Sequence, residues 1–341
     1  MRVDTGPRLG NGHLMRCLAL GQALRRAGSR VVFLSRIASA PLTRRLRSER
    51  MVFMPMKRRS LGGAADARDT AAAAKKWRAG WIVVDGHHFS PSYQRRLASS
   101  EYRLMLVDDH GGAPSAADLI LNQNLHARRS LYARAPDSTL LLGTRHALLR
   151  PEFARWQKWQ RTIASVGAKV LITMGGSDPQ DSAGKVLRAL ASLERRLRVV
   201  VVVGAHYRFG RRLRAQAQNS PHRVRIIRET DRMAKLMAWA DLGISTFGTT
   251  SWEMAFMGLP AVSLVVEAHQ EPFARAMARH GALVKIDQHM PSSSPALGET
   301  VRQVLLSSKL RLRMSRRGRA LVDGRGSERV LKAMGLAGTS R

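Results

Sequence analysis

The sequence predicts an α/β chain made of two doubly wound, Rossmann-like domains. Three observations carry this expectation. Short β-branched runs alternate with helix-period segments along the whole chain. The strand segments are apolar throughout, as in a parallel sheet covered by helices on both faces. The pattern also restarts after residue 150, and 341 residues suit two domains of ~100–200 residues each.

In the first half, strands are expected over 30–35, 51–56, 81–85, 104–108 and 119–122. A helix over 13–27 sets Leu14, Cys17, Leu18, Gly21 and Leu24 on one face. Helices over 64–77 and 92–99 follow. Only residues 2–4 precede the first strand-to-helix turn, fewer than the ~5 of an ordinary strand. The first strand is therefore expected to be short or frayed, or the coded start lies downstream of the true one. A helix rich in tryptophan and charge is expected over 151–161. Strands are then expected over 168–174, 198–204, 224–227, 242–246 and 262–266, with helices over 181–193, 233–240, 250–257, 272–280 and 299–306. Ser292–Ser294 reads as a loop. The boundary falls within 145–165, giving domains 1–150 and 151–341. In open α/β sheets ligands sit outside the carboxyl ends of the strands. Two such sheets facing one another would put both sets of loops on a central cleft.

Composition removes several function classes. No apolar run reaches the ~18–20 residues that span a bilayer, and no signal-peptide pattern opens the chain. The single cysteine, Cys17, excludes an intramolecular disulfide framework. A cytoplasmic protein is expected. Lys+Arg 58 against Asp+Glu 24 gives a net charge of +34, which invites a nucleic-acid or membrane-surface reading. The arginines are spread over the whole chain, and aromatic residues are only 5%, too few for a base-stacking platform. The excess reads first as a solvated, compositionally biased surface. Specific nucleic-acid binding is not expected, and weak association with an anionic membrane surface is the alternative.

Five segments have the residue types for chemistry. Leu9-Gly10-Asn11-Gly12-His13 opens the first helix. Glycines allow close backbone approach, and the helix N-terminus suits an anion. The helix dipole there would favour a neutral His13 able to act as a base. The structural alternative is an ordinary turn with a surface histidine. Thr173–Pro179 offers Gly176 and Ser177 to a phosphate, or it is a turn whose Ser177 or Asp178 caps a helix. Phe247–Glu253 offers Gly248, Thr249, Thr250 and Ser251 to a diphosphate and Glu253 to vicinal ribose hydroxyls. Alternatively, Thr250 and Glu253 form a capping box. Glu267-Ala268-His269-Gln270 follows a strand and points polar groups at its carboxyl end. Asp85–His88, Asp108–His110 and Asn122–Asn124 could suggest metal ligands, but no paired ligand spacing is present and no metal is expected.

Taken in order, these blocks resemble a known family, the UDP-sugar hydrolases of the pseudaminic acid pathway, relatives of glycosyltransferases with the GT-B fold. The resemblance rests on Arg2-Val3-Asp4, Gly10–Leu18, Val84-Asp85-Gly86, Val107-Asp108-Asp109, Leu121–Asn124, Leu148–Phe153, Gly175–Pro179, Gly248–Glu253 and Met257–Pro260. It spans nearly the whole chain. It implies a GT-B-like fold, no metal or other cofactor, a UDP-linked amino or deoxy sugar as substrate, and hydrolysis at the anomeric carbon. It further implies His13 as the general base, with Asp4, Gly10, Gly12, Arg16, His87 and Arg150 on the sugar side. Gly176, Ser177, Gly248, Thr249, Thr250, Ser251, Glu253, His269 and Gln270 would hold the nucleotide. Phe247 stands where relatives carry glycine, and beside the phosphate loop it would narrow the site. His87 stands where they carry tyrosine. A GT-B glycosyltransferase with a non-water acceptor, or a basic module without enzymatic activity, are the alternatives.

Overall fold

All strand pairings among the described residues are parallel, as strands apolar on both faces require. The computed structural model describes residues 1–6, 11–37, 39–56, 61–99, 101–286 and 295–336. Gly10 and Ser292–Ser294 lie outside these residues, as does the side chain of His269.

The chain divides into two units, Met1–Pro151 with Gly324–Arg341, and Glu152–Asp323. The first unit holds β1 (Arg2–Val3), α1 (Gly12–Arg26), β2 (Val32–Ser35), α2 (Ala40–Ser48), β3 (Val52–Pro55), α3 (Ala64–Lys76), β4 (Trp81–Asp85), α4 (Pro91–Leu97), β5 (Arg103–Val107), β6 (Leu119–Asn122) and β7 (Thr139–Leu142). The second holds β8 (Lys169–Thr173), α5 (Ser182–Leu190), β9 (Arg198–Val203), α6 (Gly210–Gln218), β10 (Arg223–Arg228), α7 (Met233–Trp239), β11 (Leu242–Thr246), α8 (Thr249–Phe256), β12 (Ala261–Leu264), α9 (Glu271–His280), β13 (Val284–Ile286), α10 (Pro295–Leu306) and α11 (Ser308–Leu321). The last helix, α12 (Gly326–Ala333), returns to the first unit. Val330, Leu331 and Met334 are buried there with Leu14, Leu18 and Leu148. The second domain was expected to run from 151 to 341, so this segment changes sides.

The strand order in the first sheet is β3-β2-β1-β4-β5-β6-β7, and in the second β10-β9-β8-β11-β12-β13. Each order reverses once, between β1 and β4 and between β8 and β11. Those two switch points are where a doubly wound sheet opens a crevice at its carboxyl edge. Alternation through the first sheet supplies both of its cores. Val83, Met105, Leu119 and Leu121 face α1 and α12, while Ile82, Val84, Leu104 and Ile120 face α3 and α4. The period of two sends successive side chains to opposite faces.

β1 is as short as expected, yet it lies at the centre of the sheet, bonded to β2 and β4. The helix expected over 151–161 forms only a 3₁₀ segment, Pro151–Trp156. Beyond it, arginine side chains rather than a helical ladder tie the segment to its surroundings. Arg319 donates to the carbonyls of Trp159 and Gln157, and Arg161 to those of Met237, Ala240 and Met257. Strands β7 and β13 and helices α2, α6, α11 and α12 were not expected. In α2, α6 and α11, arginine outnumbers large apolar residues and obscures the helical period.

Candidate active site

The carboxyl ends of β1, β4 and β5 each carry an aspartate: Asp4 just beyond β1, Asp85 closing β4, and Asp108 and Asp109 just beyond β5. Apolar strands bring these carboxylates to one edge of the sheet, where the first two turns of α1 add His13 and Arg16.

Asp85 is the hub. Its side chain is fully buried, and one oxygen lies 2.6 Å from His13 Nδ1. Arg16 donates to the two Asp85 oxygens from Nε and Nη2, both at 2.6 Å. The same guanidinium donates to the two oxygens of Asp109 from Nη1 and Nη2, both at 2.8 Å. Asn124 Nδ2 donates to Asp109 at 2.9 Å. Burial pushes both carboxyls up, but Arg16 and His13 outweigh it and hold each below the usual carboxylate range. Asp85 is therefore an acceptor only, so His13 Nδ1 must donate to it. Arg16 Nη2, 3.0 Å from the same nitrogen, then directs its protons to the carboxylates. In a neutral ring this tautomer puts the lone pair on Nε2, which has no hydrogen-bond partner among the described residues. A carboxylate fixing one imidazole nitrogen while the other stays basic is the arrangement a general base needs.

The base lines a pocket of about 200 Å³. Its polar walls include His87, His110 and Asp109, and its apolar ones Phe89, Leu106 and Pro114. The His87 ring lies edge-on to His13 with centroids 5.0 Å apart, and 4.9 Å from that of His110. Burial, with His13 next in effect, pushes His87 down to about 4, so it is neutral near pH 7. Gly86 shapes this loop. Its φ of +151° is one that L side chains rarely adopt, and a Cβ there would lie 2.8 Å from the His88 ring.

Asp4 is turned away from this pocket. It accepts from Arg2 Nη1 at 2.6 Å and from the Arg36 amide at 2.7 Å, and pairs with His88 Nε2 at 3.1 Å. Burial raises its carboxyl, but His88 and Arg2 outweigh that and hold it at about 2. Arg2 in turn grips Asp66 through Nε and Nη2 at 2.9 and 2.7 Å. Asp4 thus braces the strand end and the His88 loop. Arg16 is held just as firmly. Its side chain is 5% exposed and its donors are committed to Asp85 and Asp109, which makes it a positioning residue. Gly12 is the first residue of α1. Arg150 is buried and engaged in further polar contacts.

In the second unit, the loop after β8 resolves largely as a helix cap. Asp178 accepts from the amides of Ser182 and Ala183, both at 2.8 Å, and so fills the first donors of α5. Gly176 and Ser177 lie half-buried just before it. The loop after β11 differs. Helix α8 starts at Thr249 with Gly248 as its N-cap, and no side chain caps it. The expected capping box of Thr250 and Glu253 does not form, because the N-cap falls two residues earlier, at Gly248. Thr249 and Thr250 are half-buried, Ser251 and Glu253 are buried, and Ser251 Oγ has no hydrogen-bond partner. An uncapped helix start with an unpartnered buried hydroxyl is an anion-binding arrangement. Phe247 does not narrow this loop. It is 5% exposed and packs edge-on to Phe273 at 5.4 Å. Gln270 folds back on its own loop, accepting from the Val266 amide at 3.1 Å. His269 belongs to the same short 3₁₀ turn, Ala268–Gln270.

Sequence reasoning singled out His13 but missed Asp85 as its partner and Asp109 as the second anchor of Arg16. The available signal was an aspartate ending an otherwise wholly apolar strand, Trp81–Asp85. Among the described residues no group of histidine, cysteine and carboxylate side chains could hold a metal ion.

Residues 170–324 match the model of the glycosyltransferase family 28 C-terminal domain. The chain is 23% identical over 270 residues to an uncharacterized protein of Methanocaldococcus jannaschii, covering 77% of this chain and 54% of that protein. It is 25% identical over 229 residues to the spore coat polysaccharide biosynthesis protein SpsG of Bacillus subtilis, covering 67% of each. The chain thus spans between half and two-thirds of the length of these relatives. Among solved structures, MurG of Acinetobacter baumannii superposes with a TM-score of 0.67 at 17% identity over 98% of each chain. The fold is accordingly GT-B-like, with two Rossmann-like units.

Proposed function

We propose that the chain hydrolyses a UDP-linked amino or deoxy sugar at its anomeric carbon. The observation that carries this reading is the buried Asp85–His13 pair at the β1/β4 switch point, with His13 Nε2 available to a pocket. A water held there gives its proton to His13 Nε2 as its oxygen bonds the anomeric carbon. The bond from that carbon to the diphosphate oxygen breaks, and UDP leaves carrying the electron pair. A single displacement by water inverts the anomeric configuration, unlike a route through a glycosyl-enzyme. UDP is already ionised near neutral pH, so its departure calls for charge stabilisation more than for a strong acid. The uncapped amides of α8, with Gly248 and Ser251, would supply it. Glu253 would take the ribose hydroxyls, and Gly176, Ser177, His269 and Gln270 would border the nucleotide. His87 and Arg150 would contact the sugar.

The match of residues 170–324 to a glycosyltransferase domain favours a second reading, transfer of the sugar to an acceptor other than water. One experiment separates the two. A panel of nucleotide sugars is scored for UDP and for free sugar, with and without acceptor. Free sugar formed without acceptor supports hydrolysis, whereas UDP release that needs an acceptor supports transfer. In either case His13→Ala should lower turnover by roughly 10²–10⁴-fold. Turnover near wild type would remove His13 as the base.

A further inference from the structure

Only two large apolar side chains are exposed among the described residues, Leu306 at 47% and Leu312 at 38%. Single exposed leucines are commonplace, but these two fall on adjoining elements, at the end of α10 and on the second turn of α11. On α11, Lys309, Leu312, Arg313 and Arg316 follow the i, i+3, i+4, i+7 spacing of one helix face, and all four are exposed. Ser308–Leu321 contains no acidic residue, and Lys309, Arg313 and Arg316 form no ion pair among the described residues. By contrast, the exposed Arg302 of α10 is neutralised by Glu299 at 2.6 Å.

Packing does not account for the outward face. The inner face of α11 is fully engaged. Arg311 is buried and donates to the carbonyls of Val304, Ala164 and Ser165, and Met314 lies in the core. A Cβ at Gly318 would come within 3.2 Å of the Ala255 backbone on α8. On the far side, Leu306 and Leu312 still leave 47% and 38% of their surface to water.

We propose that this face docks on an anionic phospholipid surface. Leu306 and Leu312 enter the boundary between headgroups and acyl chains, and Lys309, Arg313 and Arg316 meet lipid phosphates. Charge complementarity alone would suit any polyanion. The leucine pair selects a bilayer, because an apolar side chain is stabilised at the acyl boundary but not on a phosphodiester backbone. The face also lacks the aromatic side chains on which single-stranded bases stack. Among the described residues no helix is long and apolar enough to cross a membrane, so α11 would lie along the surface.

The test uses the full chain in vesicle flotation, with equal parts phosphatidylglycerol and phosphatidylcholine, or phosphatidylcholine alone, at physiological ionic strength. A chain this basic will bind anionic vesicles weakly through any face, so the control is a second basic surface. Arg208, Arg211 and Arg214, on and just before α6, are exposed, with no exposed large apolar neighbour. The triple variant Lys309→Gln, Arg313→Gln, Arg316→Gln should lose roughly 100-fold in partitioning, about fivefold per cation. The triple variant Arg208→Gln, Arg211→Gln, Arg214→Gln should lose much less. Leu306→Ser with Leu312→Ser, which leaves the charge intact, should lose about tenfold. Equal losses from the two arginine-rich surfaces, or an unchanged leucine variant, would overturn the proposal. So would single-stranded RNA binding that depends on the α11 face without vesicle binding. Insertion has its own signature. Cys17, the single cysteine, is buried, so Leu312→Cys offers one labelling site for an environment-sensitive dye. Its emission should shift to the blue on anionic vesicles and stay unshifted on neutral ones. A dye that stays in water on anionic vesicles would contradict insertion.

Discussion

Replacing Asp85 by asparagine isolates what the carboxylate does for His13. The wild-type side chain is fully buried and receives three short contacts, one from His13 Nδ1 and two from Arg16, each at 2.6 Å. Asparagine keeps the shape and one acceptor but turns the other oxygen into a donor. If its amide faces His13, Nδ1 must accept, the proton moves to Nε2, and the base is lost. Breaking a buried ion pair from one side costs about 3–5 kcal/mol. Arg16 retains its bidentate pair with Asp109 at 2.8 Å, so the lower end of that range is expected, near ~3 kcal/mol. Turnover should fall by roughly 10³–10⁴-fold, the scale of losing both the tautomer and the base. The assays are UDP release from the preferred nucleotide sugar and urea unfolding followed by circular dichroism. Asp109→Asn is the matched control. It disturbs the same guanidinium without touching His13, so it should cost similar stability but less than about tenfold in turnover. If Asp85→Asn keeps turnover within tenfold, or if Asp109→Asn matches its loss, the pair is a structural brace and His13 is not held as a base.

Gly248→Val should leave stability nearly unchanged, because the backbone there is extended at φ −172° and a Cβ meets nothing within 4 Å. UDP binding measured by calorimetry should nevertheless collapse if a diphosphate approaches that backbone. Ser251→Ala removes a buried hydroxyl that bonds nothing, so urea unfolding should move by no more than ~0.5 kcal/mol while UDP affinity weakens about tenfold. Arg2→Leu should destabilise by about 3–5 kcal/mol, since Asp4 and Asp66 would both lose their buried cation; equilibrium unfolding measures it. Stability should fall with acid in two stages. His87 titrates at about 4 in the fold, below the ~6.5 of an unfolded chain, so the unfolded state takes up that proton first and stability declines from near pH 6.5 toward 4. Asp4 is held at about 2, so its contribution is present above ~4 and is lost as pH falls through 2. Chemical unfolding across pH 2–8 should show both stages, and a flat profile above pH 4 would contradict the burial of His87.

Much of the architecture was legible in the sequence because it depends on local periodicity. Val-rich and Leu-rich strands such as Arg198–Val203 and Trp81–Asp85 announce themselves, and so does the βα alternation. Elements were missed where composition conceals the period. α11 spaces its inward Arg311, Met314, Ser315 and Gly318 correctly, but only one of the four is an apolar side chain large enough to signal a buried face. The glycine-rich turns were also visible, yet their two possible roles were not separable. Asp178 turned out to cap α5, whereas the loop at Gly248 leaves α8 uncapped, and both look like a strand followed by glycine, hydroxyls and an acid.

The sequence by itself determined two parallel α/β sheets, the placement of polar residues at strand ends and the identity of His13 as a candidate base, because each follows from neighbours a few residues apart. Only the tertiary structure decided which acid His13 meets. Asp85 is 72 positions away, and the two come together because β1 and β4 are adjacent in the sheet while their connections run in opposite directions. The same long-range closure assigned α12 to the first unit and left Leu306 and Leu312 facing water, since burial is a property of how elements pack and not of any one segment.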